Sequence, residues 1–273
     1  MCLNGVRIAV RAGLAVAATA AVVACGAEAQ GVRAVRPAAA AAPYVGGALD
    51  DPGTPVVLFV HGGGWLYGGA AMTHNRTVRR WRREGVAIWS TDYRPGAASL
   101  GDVARAYATV RRRVGPRRRV CLHGESSGGQ LALMVAARAS SVDCVISDSG
   151  VVDLAAVPRT SGLRPIIDGW LLADGGMRRW DPLTNARRIR QPVLLVHHRE
   201  DPVVSPDQSR RLAAALARAA FVELPPGPRT GPVSYHGRHT TAAADRRAWR
   251  AAVRLVREGR LPGEPAATVR TRR

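Results

Sequence analysis

The chain has 273 residues, enough for one large domain or two small ones, and 47% of them are hydrophobic. All 40 of its basic side chains are arginines, which against 20 acidic residues give a net charge of +20. Such a charge would suit nucleic acid, but the arginines are spread along the chain without a zinc-finger spacing or an aromatic–basic RNA motif. The composition therefore disfavours a nucleic-acid partner and indicates a globular protein.

The first 25 residues are typical of an export signal. Arg7 and Arg11 accompany an apolar run over 12–24 that is too short to span a bilayer comfortably. The run ends in Val-Val-Ala-Cys at Cys25, which resembles the lipobox of bacterial lipoproteins, and a rival cleavage site follows Ala29. We favour the lipobox. Either site predicts an exported protein, secreted, periplasmic or anchored to a membrane by lipid on Cys25.

Residues 26–50 are rich in alanine, proline and glycine and predict a linker, whereas 51–262 predict a folded domain and 263–273 a basic tail. In chain order the predicted strands are 55–60, 85–93, 118–124, 142–149, 191–198 and 220–225, and the predicted helices are 73–84, 101–114, 128–139, 205–219 and 243–258. Because strands alternate with helices, we expect an α/β fold with a mostly parallel sheet covered by helices on both faces.

The third predicted strand runs directly into Gly-Glu-Ser-Ser-Gly, residues 124–128, and then into a helix. This is the pattern G-x-S-x-G, in which a serine stands on a sharp turn between a strand and a helix, and small neighbours let the turn pack closely. The motif alone is common, but this context makes it specific. Ser126 is therefore the candidate nucleophile.

A glycine-rich loop follows the first predicted strand, with His-Gly-Gly-Gly-Trp over 61–65. Consecutive glycines are entropically costly, so they need a reason. Acyl transfer builds negative charge on a carbonyl oxygen, and backbone N–H groups stabilise that charge where no side chain obstructs them. The amides of Gly62 and Gly63, together with that of Ser127, are thus the predicted oxyanion hole, and His61 is predicted to brace the loop.

A serine nucleophile needs a general base, and in a fold of this kind the acid and then the histidine follow it along the chain. Asp201 follows the fifth predicted strand and is the preferred acid over Glu200, which would point elsewhere, and Asp207, which falls in a predicted helix. His236 is the preferred base over His239, because the glycine that follows it frees the backbone.

The remaining histidines and two cysteines have less specific predictions. Structural roles are assigned to His74, His123, His197 and His198. Adjacent residues on a strand face opposite ways, so the pair at 197–198 does not predict a metal site, and the chemistry above needs no cofactor. Cys121 and Cys144 lie in apolar strand-like runs, and the sequence leaves open whether they form a disulfide or two buried thiols.

The HGGGW and GESSGG motifs resemble those of the α/β-hydrolase superfamily, in particular the hormone-sensitive-lipase-like esterases. The resemblance covers about residues 55–258 and includes Ser-Thr-Asp-Tyr-Arg-Pro over 90–95. It implies a triad of Ser126, His236 and Asp201 and an oxyanion hole from Gly62, Gly63 and Ser127. Two departures from the family pattern are expected: a short sheet edge before residue 55 and only a small cap over 150–190.

The predicted function is that of an exported serine hydrolase acting on small carboxylic esters or amides. Short acyl chains are expected, because the segment 150–190 has few large apolar side chains, among them Trp170, Leu171 and Trp180, to wall a pocket. One alternative is a serine peptidase or amidase of the prolyl-oligopeptidase type. An alternative of another class is a non-catalytic surface lipoprotein that keeps the scaffold.

Overall fold

The computed structural model describes residues 44–47, 49–69 and 76–265. Its strands are β1 (Tyr44–Gly46), β2 (Val56–Val60), β3 (Ala87–Thr91), β4 (Val120–Glu125), β5 (Cys144–Asp148), β6 (Val193–His198) and β7 (Ala219–Leu224). They form one sheet in the order β1-β3-β2-β4-β5-β6-β7. Only β1 runs antiparallel to its neighbour, so the prediction of a mostly parallel sheet is confirmed.

The helices alternate with these strands. They are α1 (Arg76–Arg83), α2 (Ala98–Val114), α3 (Ser127–Ala136), α4 (Arg164–Ile166), α5 (Gly176–Trp180), α6 (Pro206–Ala215) and α7 (Ala242–Glu258). Local chemistry sets their ends: the Thr241 hydroxyl accepts a hydrogen bond from the Ala244 amide at the start of α7, and Gly259, with φ +71°, ends it. None of the helices in the described ranges is both long and apolar enough to cross a membrane.

Two hydrophobic clusters cover the two faces of the sheet. Side chains alternate along β2, so Leu58 joins the cluster beneath α2, α3 and α6, and Phe59 joins the cluster beneath α1 and α7. Because strands that are buried on both faces are continuous apolar runs, their positions could be predicted from the sequence. The prediction of helices on both faces is confirmed.

A short strand lies before residue 55, where a short sheet edge was expected. Strand β1 lies inside the segment 26–50 that was expected to be a linker, and its backbone pairs with β3 from Tyr44 opposite Ser90 to Gly46 opposite Ile88. The linker prediction was therefore wrong at its C-terminal end, because a strand of three residues is too short to show a pattern. The predicted signal, Cys25, His74 and most of the basic tail lie outside the described residues.

A disulfide joins two neighbouring strands. Cys121 of β4 and Cys144 of β5 are register partners with their Cα atoms 4.6 Å apart, and their sulfurs are bonded. Both residues have no exposed surface. The sequence left open whether these cysteines form a disulfide or remain two buried thiols. The register of β4 and β5 places them opposite each other, and they form the disulfide.

The segment between β5 and β6 forms a small cap of short helical pieces, including α4, a π-helical turn over Ile167–Leu172 and α5. Trp180 and Leu171 were expected to wall a pocket, but both are fully buried in the core. That expectation was wrong, since these side chains hold the cap down instead. Trp170 is 39% exposed and lies over Gly96, where a Cβ atom would come within 2.6 Å of its ring.

Candidate active site

Ser126 stands on a strained turn between β4 and α3. Its φ of +52° and ψ of −120° are costly for a residue with a side chain, and its amide donates to the Asp148 carbonyl at 2.9 Å. The glycines of the motif allow the turn. A Cβ atom on Gly124 would lie 2.1 Å from the Gly128 carbonyl oxygen, and one on Gly128 would lie 2.2 Å from that of Val60.

The structure brings three predicted residues together at the carboxyl ends of the strands. The His236 Nε2 atom lies 3.1 Å from the Ser126 hydroxyl oxygen, and its Nδ1 atom lies 2.7 Å from the Asp201 Oδ2 atom. Because a carboxylate only accepts, Nδ1 carries the proton and Nε2 is left as an acceptor for the serine hydroxyl. This is the tautomer that a general base needs.

The Asp201 carboxylate is buried and fully hydrogen-bonded. Its Oδ1 atom accepts from the amides of Val203 and Val204, each at 2.9 Å, and its side chain has no exposed surface. Burial alone would raise the pKa of Asp201, but hydrogen bonds from His197 and His236 and the charge interaction with His236 hold it well below its ordinary value. Asp201 is therefore ionised at neutral pH.

The rejected candidates lie elsewhere. The His239 Nδ1 atom faces the Gly231 carbonyl at 3.1 Å, and its own carbonyl accepts from the Nε2 atom of His198 at 3.0 Å. Glu200 and Asp207 are both exposed. Within the described residues, no hydrogen bond joins any of these three alternatives to Ser126 or His236, so the geometry favours His236 and Asp201.

The glycine-rich loop after β2 presents unengaged amides beside the turn of Ser126. In the described part of the chain, no acceptor bonds to the amides of Gly62, Gly63 or Ser127. A Cβ atom on Gly62 would lie 2.1 Å from the Tyr235 hydroxyl oxygen, and one on Gly63, whose φ is +118°, would lie 2.1 Å from the Tyr67 carbonyl. The loop thus excludes side chains while leaving two N–H donors available, and the amide of Ser127 at the start of α3 is the third.

His61 and Tyr93 support this loop from behind. Their rings stack with centroids 4.2 Å apart, the Tyr93 hydroxyl donates to the His61 carbonyl at 3.0 Å, and the His61 Nδ1 atom lies 2.7 Å from the Gly62 carbonyl. Burial lowers the pKa of His61 and raises that of Tyr93, so the imidazole is neutral and the phenol remains a donor. These contacts suit the bracing role predicted for His61.

A buried amide joins the loop to the helix that follows Ser126, and sequence reasoning missed it. The Trp65 Nε1 atom donates to the Gln130 Oε1 atom at 3.0 Å, and the other end of that amide donates to the Trp180 carbonyl. Trp65 adopts φ +60° and has no exposed surface. Trp65 is the last residue of the HGGGW motif and Gln130 directly follows the GESSGG motif, but nothing in the spacing of the motifs shows that the two side chains pair.

Among the described residues, one group has side chains close enough for a metal: His123, Glu125 and Asp148, with ligand atoms within 4.8 Å of one another. They line a cavity of about 200 Å³. The Trp81 indole N–H donates to the His123 Nδ1 atom at 2.9 Å, and burial lowers the pKa of His123 to about 3. Neutral His123 therefore carries its proton on Nε2, which cannot ligate a metal. We assign no metal to this group.

A model of the BD-FAE family matches residues 44–216, more than half of the chain. The chain belongs to the BD-FAE family. The matched region includes Ser126 and Asp201 and ends before His236. Esterase LipC of Mycobacterium tuberculosis (strain ATCC 25618 / H37Rv) is 25% identical over 235 residues, a match that covers 66% of this chain and 56% of LipC. This BD-FAE member thus spans little more than half the length of that relative.

Solved structures share the fold of this BD-FAE member. Thermogutta terrifontis esterase 2, phosphonylated by sarin, superposes with a TM-score of 0.60 at 20% identity, covering 81% of this chain and 91% of that one. A hormone-sensitive lipase from a metagenome library superposes with a TM-score of 0.54 at 18% identity, covering 75% of each chain. At such identities the likeness concerns the fold alone, and the predicted α/β-hydrolase fold is confirmed.

Proposed function

We propose that this protein is a serine hydrolase that cleaves carboxylic esters, with Ser126 as nucleophile, His236 as general base and Asp201 as the acid that orients it. The observation that carries the proposal is the continuous contact from the Ser126 hydroxyl through the imidazole to the Asp201 carboxylate, at 3.1 and 2.7 Å. Family membership and the esterase relatives support the same reading.

The geometry supports a two-step acyl transfer. The His236 Nε2 atom takes the hydroxyl proton as the Ser126 oxygen attacks the ester carbonyl, and ionised Asp201 stabilises the resulting imidazolium. The imidazolium then returns that proton to the leaving alkoxide, which departs as an alcohol. Water, deprotonated by the same nitrogen, then attacks the acyl carbon. The imidazolium gives this proton to the Ser126 oxygen as the bond from that oxygen to the acyl carbon breaks, which releases the carboxylic acid and restores Ser126 and neutral His236.

The tetrahedral intermediate of each step carries a negative oxygen. We assign its stabilisation to the amides of Gly62, Gly63 and Ser127, which have no acceptor within the described residues. One such donor typically lowers the barrier by roughly 3–4 kcal/mol. Because His61 and Tyr93 brace the loop, its two amides need no reorganisation during the reaction.

A fluorophosphonate probe tests the nucleophile. Labelling of the wild type should be lost in Ser126→Ala and retained in Ser149→Ala, a matched control because Ser149 is also buried, has φ +51° and directly follows the neighbouring strand β5. Labelling that persists in Ser126→Ala would refute the assignment. A wild-type protein that is not labelled would instead favour the non-catalytic alternative. A panel of ester, anilide and peptide substrates separates an esterase from an amidase or peptidase.

We also propose a preference for short acyl chains of roughly two to six carbons. The cap consists of short helical pieces whose large side chains, apart from Trp170, pack into the core, and so it offers little apolar surface to a long chain. Each buried methylene gains about 0.8 kcal/mol only where apolar surface meets it. Values of kcat/KM that rise steadily from p-nitrophenyl acetate through octanoate to palmitate would contradict this preference.

Finally, we propose that the protein is exported and carries lipid on Cys25. The disulfide between Cys121 and Cys144 supports export, because such bonds persist in oxidising compartments. Mass spectrometry of the mature protein should find a lipid-modified N-terminus at Cys25, and Cys25→Ser should leave an unprocessed or soluble form. An unmodified N-terminus at Gln30 would identify cleavage after Ala29 instead.

A further inference from the structure

His197, near the end of β6, is fully buried and touches the acid of the proposed triad. Its Nε2 atom lies 3.0 Å from the Val204 carbonyl oxygen and 3.3 Å from the Asp201 Oδ2 atom, and its Nδ1 atom lies 2.8 Å from the Ser209 hydroxyl of α6. A carbonyl oxygen only accepts, so Nε2 carries a proton and Nδ1 accepts from Ser209. The ring is held in one tautomer, with its N–H directed between Val204 and Asp201.

These contacts complete the surroundings of the carboxylate. The Oδ1 atom of Asp201 accepts from two backbone amides, and its Oδ2 atom accepts from the imidazole of His236 and lies 3.3 Å from the Nε2 atom of His197. With both oxygens held by donors on two sides, the buried carboxylate has one orientation. The oxygen that serves the general base is thus the one that His197 holds.

We propose that His197 is a positioning residue of the proposed triad. His197 holds the Asp201 Oδ2 atom in place beside His236, and its N–H weakens the attraction between that oxygen and the imidazolium of His236. The inference rests on the proposed function of the triad. Removing the N–H donor of His197 should have two effects. First, the Asp201 carboxylate loses its fixed orientation, which slows catalysis. Second, the Oδ2 atom of Asp201 stabilises a positive charge on His236 more strongly. The second effect moves the acid limb of activity to higher pH.

Other titratable groups surround His236, and they are common to every variant compared. Tyr235 packs edge-on against its ring with centroids 5.0 Å apart, and Asp148 of β5 interacts with it through its charge. The cavity that Tyr235 and Asp148 line is also lined by other titratable groups, namely His123 and Glu125 of β4, Arg76 and Arg80 of α1, and Asp245 of α7. Because none of them changes, a difference between variants at 197 reports the contact with Asp201.

Two substitutions distinguish the contribution of the His197 hydrogen-bond donor from the contribution of its ring to packing. His197→Phe keeps a ring of similar size but removes the N–H donor, whereas His197→Gln places an amide N–H donor close to the position of Nε2. His198→Phe is the matched control, since His198 is equally buried on the same strand but bonds to the His239 carbonyl and the Glu200 amide rather than to Asp201.

We expect His197→Phe to lower kcat about 10- to 100-fold with little change in KM, the loss typical of a hydrogen bond to a charged group. The acid limb of kcat/KM should move up by about half a pH unit, and His197→Gln should recover most of both effects. The titration of His236, followed by NMR of labelled histidine, should show the same displacement without any need for turnover. His198→Phe should leave that titration unchanged.

The inference would be overturned by wild-type kcat and a wild-type His236 titration in His197→Phe, or by His197→Gln being as impaired as His197→Phe. If His197→Phe does not fold, Ser209→Ala provides a second test: it weakens the Nε2–H donor and should move the His236 titration the same way by less, and no movement would count against the proposal. Failure of the proposed function is distinguishable, because it appears as absent probe labelling of the wild type.

Discussion

Breaking the disulfide between Cys121 and Cys144 should destabilise the protein by about 3 kcal/mol while leaving kcat near the wild-type value. The bond closes a loop with a sequence separation of 23 residues, and for such a loop the chain-entropy relation gives a loss of roughly 3 kcal/mol at 25 °C. At about 2–4 °C per kcal/mol for a domain of this size, Tm should fall by roughly 6–12 °C. Turnover should persist because the hydrogen-bonded ladder between β4 and β5 still places Ser126.

The assay is urea or thermal unfolding of Cys121→Ala, Cys144→Ala and the double variant, with thiol titration of each. Either single substitution already removes the cross-link, so the double variant should be only slightly less stable than the singles, the difference being the extra buried volume lost. Stability losses that simply add between the two singles would refute the cross-link. So would four titratable thiols in the unfolded full-length wild-type chain, because Cys2 and Cys25 can account for only two of them.

Three further outcomes follow from the site. His236→Ala should lower kcat by several orders of magnitude and His239→Ala by less than tenfold; the reverse ranking would reassign the base. Gly62→Ala should lower kcat at least tenfold with KM little changed, because the alanine methyl group would displace the Tyr235 hydroxyl and, with it, the neighbouring base His236. An unchanged kcat would contradict the close contact between residue 62 and Tyr235. Asp201 has a folded pKa below its ordinary value, so its ionised form stabilises the fold above about pH 4, and that contribution is lost as the pH falls through the depressed value. Unfolding of Asp201→Asn should therefore depend less on pH between roughly 5 and 2 than that of the wild type, and identical slopes would exclude this linkage.

The parts of the fold that could be read from the sequence are those with a local pattern. A parallel strand buried on both faces is an apolar run, and the turn that carries Ser126 needs small residues at two fixed positions, Gly124 and Gly128, because their Cβ atoms would strike backbone carbonyls. Strand β1 escaped prediction since its three residues are defined by backbone pairing with β3 rather than by side chains.

Contacts between distant segments could not be read in the same way. The bond between Cys121 and Cys144 depends on the register of β4 and β5, which their apolar composition leaves open. Likewise, His197 reaches Asp201 only because the turn after β6 folds back over the strand end. The chain order of the proposed serine, acid and histidine could be predicted from the fold class, whereas the neighbours that orient the acid depend on tertiary packing.

The amide of Gln130 restricts how this protein could be re-engineered. It hydrogen-bonds to Trp65 in the glycine-rich loop and to the Trp180 carbonyl in the cap. A displacement of the cap at Trp180 would therefore also shift the loop at Trp65. Grafting a longer cap to admit bulkier substrates would displace residue 180 and leave the buried amide of Gln130 without its acceptor. The loop that carries the proposed oxyanion-hole amides would then be held less firmly. A wider substrate range would then come with slower turnover, and a successful graft must supply a carbonyl at the position that Trp180 now occupies.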